Sequence, residues 1–109
     1  MPRDAGLPPG TLTLLILRVL ETQPLHGYAI AQRIHALSEE ELSVEEGSLY
    51  PALQKLLLNG WVKASWVVSE SGRDVREYRM TASGRKQLDA VLAEYRRVTR
   101  AVELLLQHA

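Results

Sequence analysis

Apolar positions recur every three or four residues through most of the chain and every second residue in one short region. Thr11 is the N-cap candidate for a first helix in which Leu12, Leu15, Ile16, Val19 and Leu20 share one face, while Leu14 and Leu17 fall on the opposite face. A helix that is apolar on two sides lies between two partners, here the core and a second surface. Gln23 and Pro24 end it. A second helix begins near His26 or Gly27 and carries Tyr28, Ile30, Ala31, Ile34 and Leu37 at helical spacing. It fades into the acidic run Glu39 to Glu41, a solvated linker. Ser43-Val44-Glu45-Glu46 matches a capping box, with Ser43 as N-cap and Glu46 at the third helical position. The third helix turns Leu49, Leu53, Leu56 and Leu57 inward. Pro51 is expected to bend it or to move its start towards Ser48, and Asn59-Gly60 stops it with a left-handed C-cap.

From Trp61 to Val68 the pattern changes to β-branched and aromatic residues, the composition of a strand. Glu70 to Asp74 reads as a turn, and Val75 to Met80 as the returning strand of a hairpin. Alternation puts Arg76, Tyr78 and Met80 on one face of that strand and Glu77 and Arg79 on the other. Trp61 and Trp66 are expected in the core at the base of the hairpin. Thr81 caps a last helix, in which Leu88, Val91, Tyr95, Val98, Val102 and Leu105 form a two-in-seven seam that Leu92, Ala101 and Leu104 widen. A helix of about 25 residues extends about 37 Å, longer than the small domain it would cover. Part of it must find another surface, and a two-fold dimer gripped by Leu14 and Leu17 of the first helix provides one.

Three helices, a hairpin and a final helix make an α+β chain that is mostly α. The order is that of a winged helix-turn-helix, in which three helices and a β-hairpin wing precede a long C-terminal dimerisation helix. Other small α+β domains share this order. The segments are a loose arm over residues 1–10, rich in proline and glycine, the winged-helix domain over 11–80, and the dimerisation helix over 81–109.

Composition narrows the chemistry. At 109 residues with no cysteine, the chain suits one domain and has neither disulfides nor thiolate sites. The apolar run from Leu12 to Leu17 is too short to span a bilayer, so a soluble, cytoplasmic protein is expected. Formal net charge is +0, which gives no support to nucleic-acid binding, although Arg73, Arg76 and Arg79 cluster on the hairpin. His26 and His35 lack a metal-ligand spacing and a third ligand, and His26 is read as a cap or packing residue at its turn. No nucleophile elbow, phosphate loop or paired carboxylates are present, so neither metal nor cofactor nor enzymatic activity is expected.

Several segments carry a resemblance: Gly10-Thr11-Leu12, Pro24-Leu25-His26-Gly27-Tyr28 and Glu46-Gly47-Ser48-Leu49-Tyr50-Pro51-Ala52-Leu53. Leu57, Asn59-Gly60, Gly72-Arg73, Tyr78-Arg79-Met80-Thr81 and Gly84 continue it. Together they resemble the PadR family of regulators, in its short subgroup with a single C-terminal helix. The resemblance implies a homodimeric repressor of a nearby operon that binds double-stranded DNA and is released by a small aromatic or hydrophobic effector. On the winged-helix reading, Tyr28, Ser48, Tyr50 and Lys55 are the candidate DNA contacts of the helices, and Arg73 and Arg76 those of the wing. The dimer seam, with Leu14, Tyr95 and Val98, is the candidate effector site. Here Asp74, Val75 and Glu77 interrupt the wing's basic residues. Neutral charge and the acidic residues beside the third helix favour a competing reading, a winged-helix module that binds a partner protein and no DNA.

Overall fold

The computed structural model describes residues 10–108, so the arm predicted over residues 1–10 lies, apart from Gly10, outside the described residues. The chain forms α1 (Thr11–Leu20), β1 (Leu25–His26), α2 (Gly27–Leu37), α3 (Glu46–Leu58), β2 (Val62–Val68), β3 (Asp74–Met80) and α4 (Ala82–Gln107). Four helices and a small antiparallel sheet give the mostly helical winged-helix architecture expected from the pattern.

Helix α1 is the centre of the core. Leu14, Ile16, Leu17, Val19 and Leu20 are all buried, and α2, α3, β3 and α4 all pack on it. Its two apolar faces are therefore both covered by this chain. Leu17, read from the sequence as a grip on a second subunit, is 0% exposed, and Leu88 of the expected seam is 1% exposed. Neither presents surface to another molecule, because the first turns of α4 lie on α1 and complete the same core. Periodicity reveals a second apolar face but not whose side chains will cover it.

The helix ends are governed by local chemistry. Gly10, with φ 84°, stands at the N-cap of α1 in place of the expected Thr11, which is already helical. His26 caps α2, its ring Nδ1 accepting the Ala29 N–H at 3.4 Å. The Ser43 capping box does not form. Leu42 and Val44 pack against the core, which carries the chain past Ser43 in extended form to an N-cap at Glu45. The Ser43 hydroxyl instead lies 3.4 Å from His35 Nδ1. Helix α3 runs unbroken through Pro51, which forgoes its own donor, and begins at Glu46 rather than near Ser48. It closes with a Schellman motif: the Trp61 N–H donates to the Leu56 carbonyl and the Gly60 N–H to that of Leu57, with Gly60 at φ 74°.

The sheet has three strands in the order β1-β3-β2, one more than the hairpin predicted. Leu25 and His26 pair with Tyr78 and Glu77, and β2 pairs with β3 from Val62↔Met80 to Val68↔Asp74. A two-residue strand is too short to show in a periodicity. Trp61 is partly buried against the core, whereas Trp66 is 70% exposed, because the hairpin outreaches the domain two pleats beyond Val62.

Thr81 joins the sheet to α4. Its hydroxyl donates to the Gly60 carbonyl at 2.7 Å and accepts the Gly84 N–H at 3.0 Å. Glu21, at the end of α1, holds Arg18 at 2.6 Å and Arg85 of α4 at 3.0 Å. Gly84 is the closest approach: a Cβ there would overlap the Trp61 carbonyl oxygen, which is backbone and cannot step aside. Replacing Gly84 with Ala is expected to cost about 1–3 kcal/mol, the usual size of an overpacking penalty, in urea unfolding. Gly47→Ala in α3, where nothing lies within 4 Å, should be neutral or stabilising by about 0.5–1 kcal/mol. Equal stability of the two variants would contradict this packing.

Candidate nucleic-acid interface

Leu49, Leu53 and Leu56 recur at steps of four and three, so α3 turns one stripe to the core. The opposite side carries Gly47, Ser48, Pro51, Gln54, Lys55 and Leu58, all exposed. Ser48 and Tyr50 are two residues apart, roughly 200° around the helix, and leave it on opposite flanks. Ser48 and Lys55 share one flank, while Tyr50 faces α2 and the wing. Gln54, which the sequence reading passed over, adds an amide to the outward side, and the spacing of the buried leucines locates it.

Tyr50 is set by Gly27, the first residue of α2. A Cβ at Gly27 would lie 2.9 Å from the Tyr50 hydroxyl oxygen, so glycine admits the phenol ring to that position. Tyr28, one residue on, projects into solvent and is 62% exposed. Across from the two tyrosines stands the hairpin. Its turn is closed by the Ser69 N–H donating to the Arg73 carbonyl at 2.8 Å and the Arg73 N–H donating to the Ser69 hydroxyl at 3.3 Å. Arg73 thus sits on a fixed tip. The Arg76 guanidinium carbon lies 5.8 Å from the centroid of the Tyr78 ring, a cation–π distance that lays the side chain along the sheet.

Between these elements runs a groove of about 610 Å³ whose walls include Tyr28, Tyr50, Trp66, Arg73 and Arg76, with Glu46 and Asp74 among them. Four of the six candidate contacts are brought together here, namely Tyr28, Tyr50, Arg73 and Arg76. Ser48 and Lys55 stand outside it on the far flank of α3. Trp66 joins the groove instead of the core. Neither arginine is ion-paired among the described residues.

A second groove, about 490 Å³, lies between the start of α1 and the middle of α4. Leu14, Val91, Tyr95 and Val98 line it, which brings the three candidate effector residues to one place. On its rim Glu94 accepts from Arg97 at 2.6 and 3.1 Å, and that bonded guanidinium holds the carboxyl below its ordinary pKa. Beyond this groove α4 leaves the domain. Val102, Leu104, Leu105 and Leu106 are exposed, and the molecule is 56 Å in its longest dimension against 32 and 21 Å in the others. No group of His, Asp and Glu side chains suited to a metal ion occurs among the described residues. Nor is any helix among them long and apolar enough to cross a membrane.

The model of the PadR-like family of transcriptional regulators matches residues 16–90, from the middle of α1 through the groove to the first turns of α4. The chain belongs to this family. Its members regulate transcription and are not enzymes. Among solved structures, a transcriptional regulator from Clostridium thermocellum is 26% identical, with TM-score 0.79 over 86% of this chain and 91% of its own. A PadR family transcription regulator from Clostridium difficile is 25% identical, with TM-score 0.77 over 89% of this chain and 99% of its own. A PadR-like regulator from Bacillus cereus is 26% identical, with TM-score 0.77 over 90% and 93%. An uncharacterized protein of Lysinibacillus sphaericus is 26% identical over 98 residues, 90% of each chain. The fold thus extends over nearly the whole of these PadR-like relatives.

The seat of Tyr50 can be tested directly. Gly27→Ala is expected to displace the phenol ring, lower stability by about 1 kcal/mol or more, and alter the near-ultraviolet dichroism of the tyrosines. An unchanged spectrum and unfolding midpoint would show that Tyr50 does not depend on Gly27.

Proposed function

We propose that this PadR-like regulator is a cytoplasmic repressor that binds duplex DNA as a homodimer and is released by a small hydrophobic or aromatic effector. The observation that carries the reading is the groove between α3 and the wing, where Tyr28, Tyr50, Arg73 and Arg76 converge. In a winged helix the motif's second helix enters the major groove and the hairpin meets the neighbouring backbone. Arg73 and Arg76 then hold phosphates and fix register, while Ser48, Gln54 and Lys55 on the outward side of α3 face base edges and carry the sequence information.

The dimer follows from α4. Tyr95, Val98, Val102 and Leu105 remain exposed in one chain, and so large an apolar stripe requires cover in water. A second α4 of the same kind offers a matching seam under two-fold symmetry. The effector takes the groove at Leu14, Tyr95 and Val98, whose apolar lining suits a small apolar molecule. That groove lies at the root of the seam, so an occupant there alters how two copies meet and hence the spacing of their α3 helices.

The neutral net charge, and Glu46 and Asp74 within the groove, favour a second reading in which the groove binds a partner protein. Selection of bound duplexes from a random library separates the two. A pseudo-palindrome with half-sites about one helical turn apart is expected. Arg73→Ala and Arg76→Ala should each reduce the slope of log affinity against log salt by about 1 and weaken all sequences alike. No enriched palindrome, or salt-independent binding, would favour the protein-partner reading.

The seam has its own test. The urea unfolding midpoint of the protein is expected to rise with protein concentration, as it does whenever association stabilises the fold. Val102→Glu should remove that dependence, since Val102 contributes nothing to the core of a single chain. A wild-type midpoint independent of concentration would count against the dimer.

A further inference from the structure

We infer that Trp66 is a DNA-contacting residue of the wing, its indole packing on the deoxyribose of the strand whose phosphates Arg73 and Arg76 hold. The inference rests on the DNA-binding reading above and deepens it.

Register fixes the position. Trp66 pairs with Arg76, Ala64 with Tyr78 and Val62 with Met80, and paired residues share a face of the sheet. Near the base this face is core, with Val62 and Tyr78 buried. Towards the tip the domain beneath it ends and the same face emerges as one wall of the groove, bearing Trp66. The indole therefore looks across at Tyr28 and Tyr50. Lys63 and Arg79, paired on the opposite face, look away.

A single exposed aromatic needs no explanation. Three around one groove, with two unpaired guanidiniums, do. Arg73 and Arg76 are matched in formal charge by Glu46 and Asp74, so charge alone holds a simple anion weakly here. A small apolar ligand would bury four charges without partners, at a high cost. A nucleic-acid strand alternates anionic phosphates with apolar sugars, and this groove alternates guanidiniums with aromatic faces. Its affinity for such a strand comes as much from apolar contact as from charge. The indole Nε1–H is in addition a free donor for a phosphate oxygen.

The test uses the full chain and a duplex recovered by library selection. Trp66→Ala is expected to weaken binding about tenfold, the scale of one lost aromatic contact to nucleic acid, and Trp66→Phe to keep most of the affinity. The salt slope should stay at the wild-type value, because no charge is removed. The unfolding midpoint should also stay, because the side chain is exposed. Iodide should quench Trp66 in the free protein and lose access on adding duplex. Wild-type affinity in Trp66→Ala would overturn this inference and leave the DNA reading intact. A tenfold loss accompanied by a lower unfolding midpoint would overturn it by making Trp66 structural. If the wild-type protein binds no duplex at all, both readings fall together.

Discussion

Every other feature of this PadR-like regulator depends on the enclosure of α1. Five of its aliphatic side chains are withdrawn from water, which contributes on the order of 10 kcal/mol by the usual values for buried side chains. That is comparable with the whole net stability of a domain, roughly 5–15 kcal/mol. The enclosure needs two walls. The helix-turn-helix and β3 supply one, and the first turns of α4 the other. The start of α4 is thereby fixed against α1, with Thr81 and Gly84 holding it to Gly60 and Trp61. The rest of α4 follows its own axis out of the domain and remains uncovered.

The same arrangement aims the groove. With Leu49, Leu53 and Leu56 committed to the core, α3 has one possible rotation, and that rotation sends Tyr50 to the wing side and Ser48, Gln54 and Lys55 outward. The wing is longer than the domain beneath it, so its inner face passes from core to groove wall within two pleats. Net charge is a poor guide to such a surface. The arginines gathered in the groove are outweighed in the total by acidic residues elsewhere, notably Glu39 to Glu41 at the far end of α2. A chain of net charge +0 can still present two free guanidiniums at one place.

Most of the fold was legible because it is written in spacing. The leucines of α3, the Asn59-Gly60 stop, the Thr81 cap and the hairpin with its turn at Gly72 are local signals, and each is found where the pattern put it. What could not be read was long-range. Leu17 and Leu88 carry the same signal whether a second subunit or their own chain covers them. The strand of Leu25 and His26 exists only because Tyr78 and Glu77 lie beside it. Ser43 has the residues of a capping box, yet the pull of Leu42 and Val44 on the core moves the helix start. Trp66 looked like core because it is apolar on a core-facing register, and only the length of the hairpin relative to the domain exposes it. The candidate site was half legible for the same reason: motif residues were named correctly as surface groups, but which of them share a groove is a matter of helix rotation.

The central claim is that two copies joined through α4 grip one duplex by α3 and the wing. Sedimentation of the protein with a selected duplex tests it most directly, since the chain weighs 12.2 kDa and each bound copy adds a resolvable increment. The account predicts two protomers per duplex, with no one-protomer species as protein is titrated in. A stable complex of one protomer per duplex, or no complex at low salt, would contradict it.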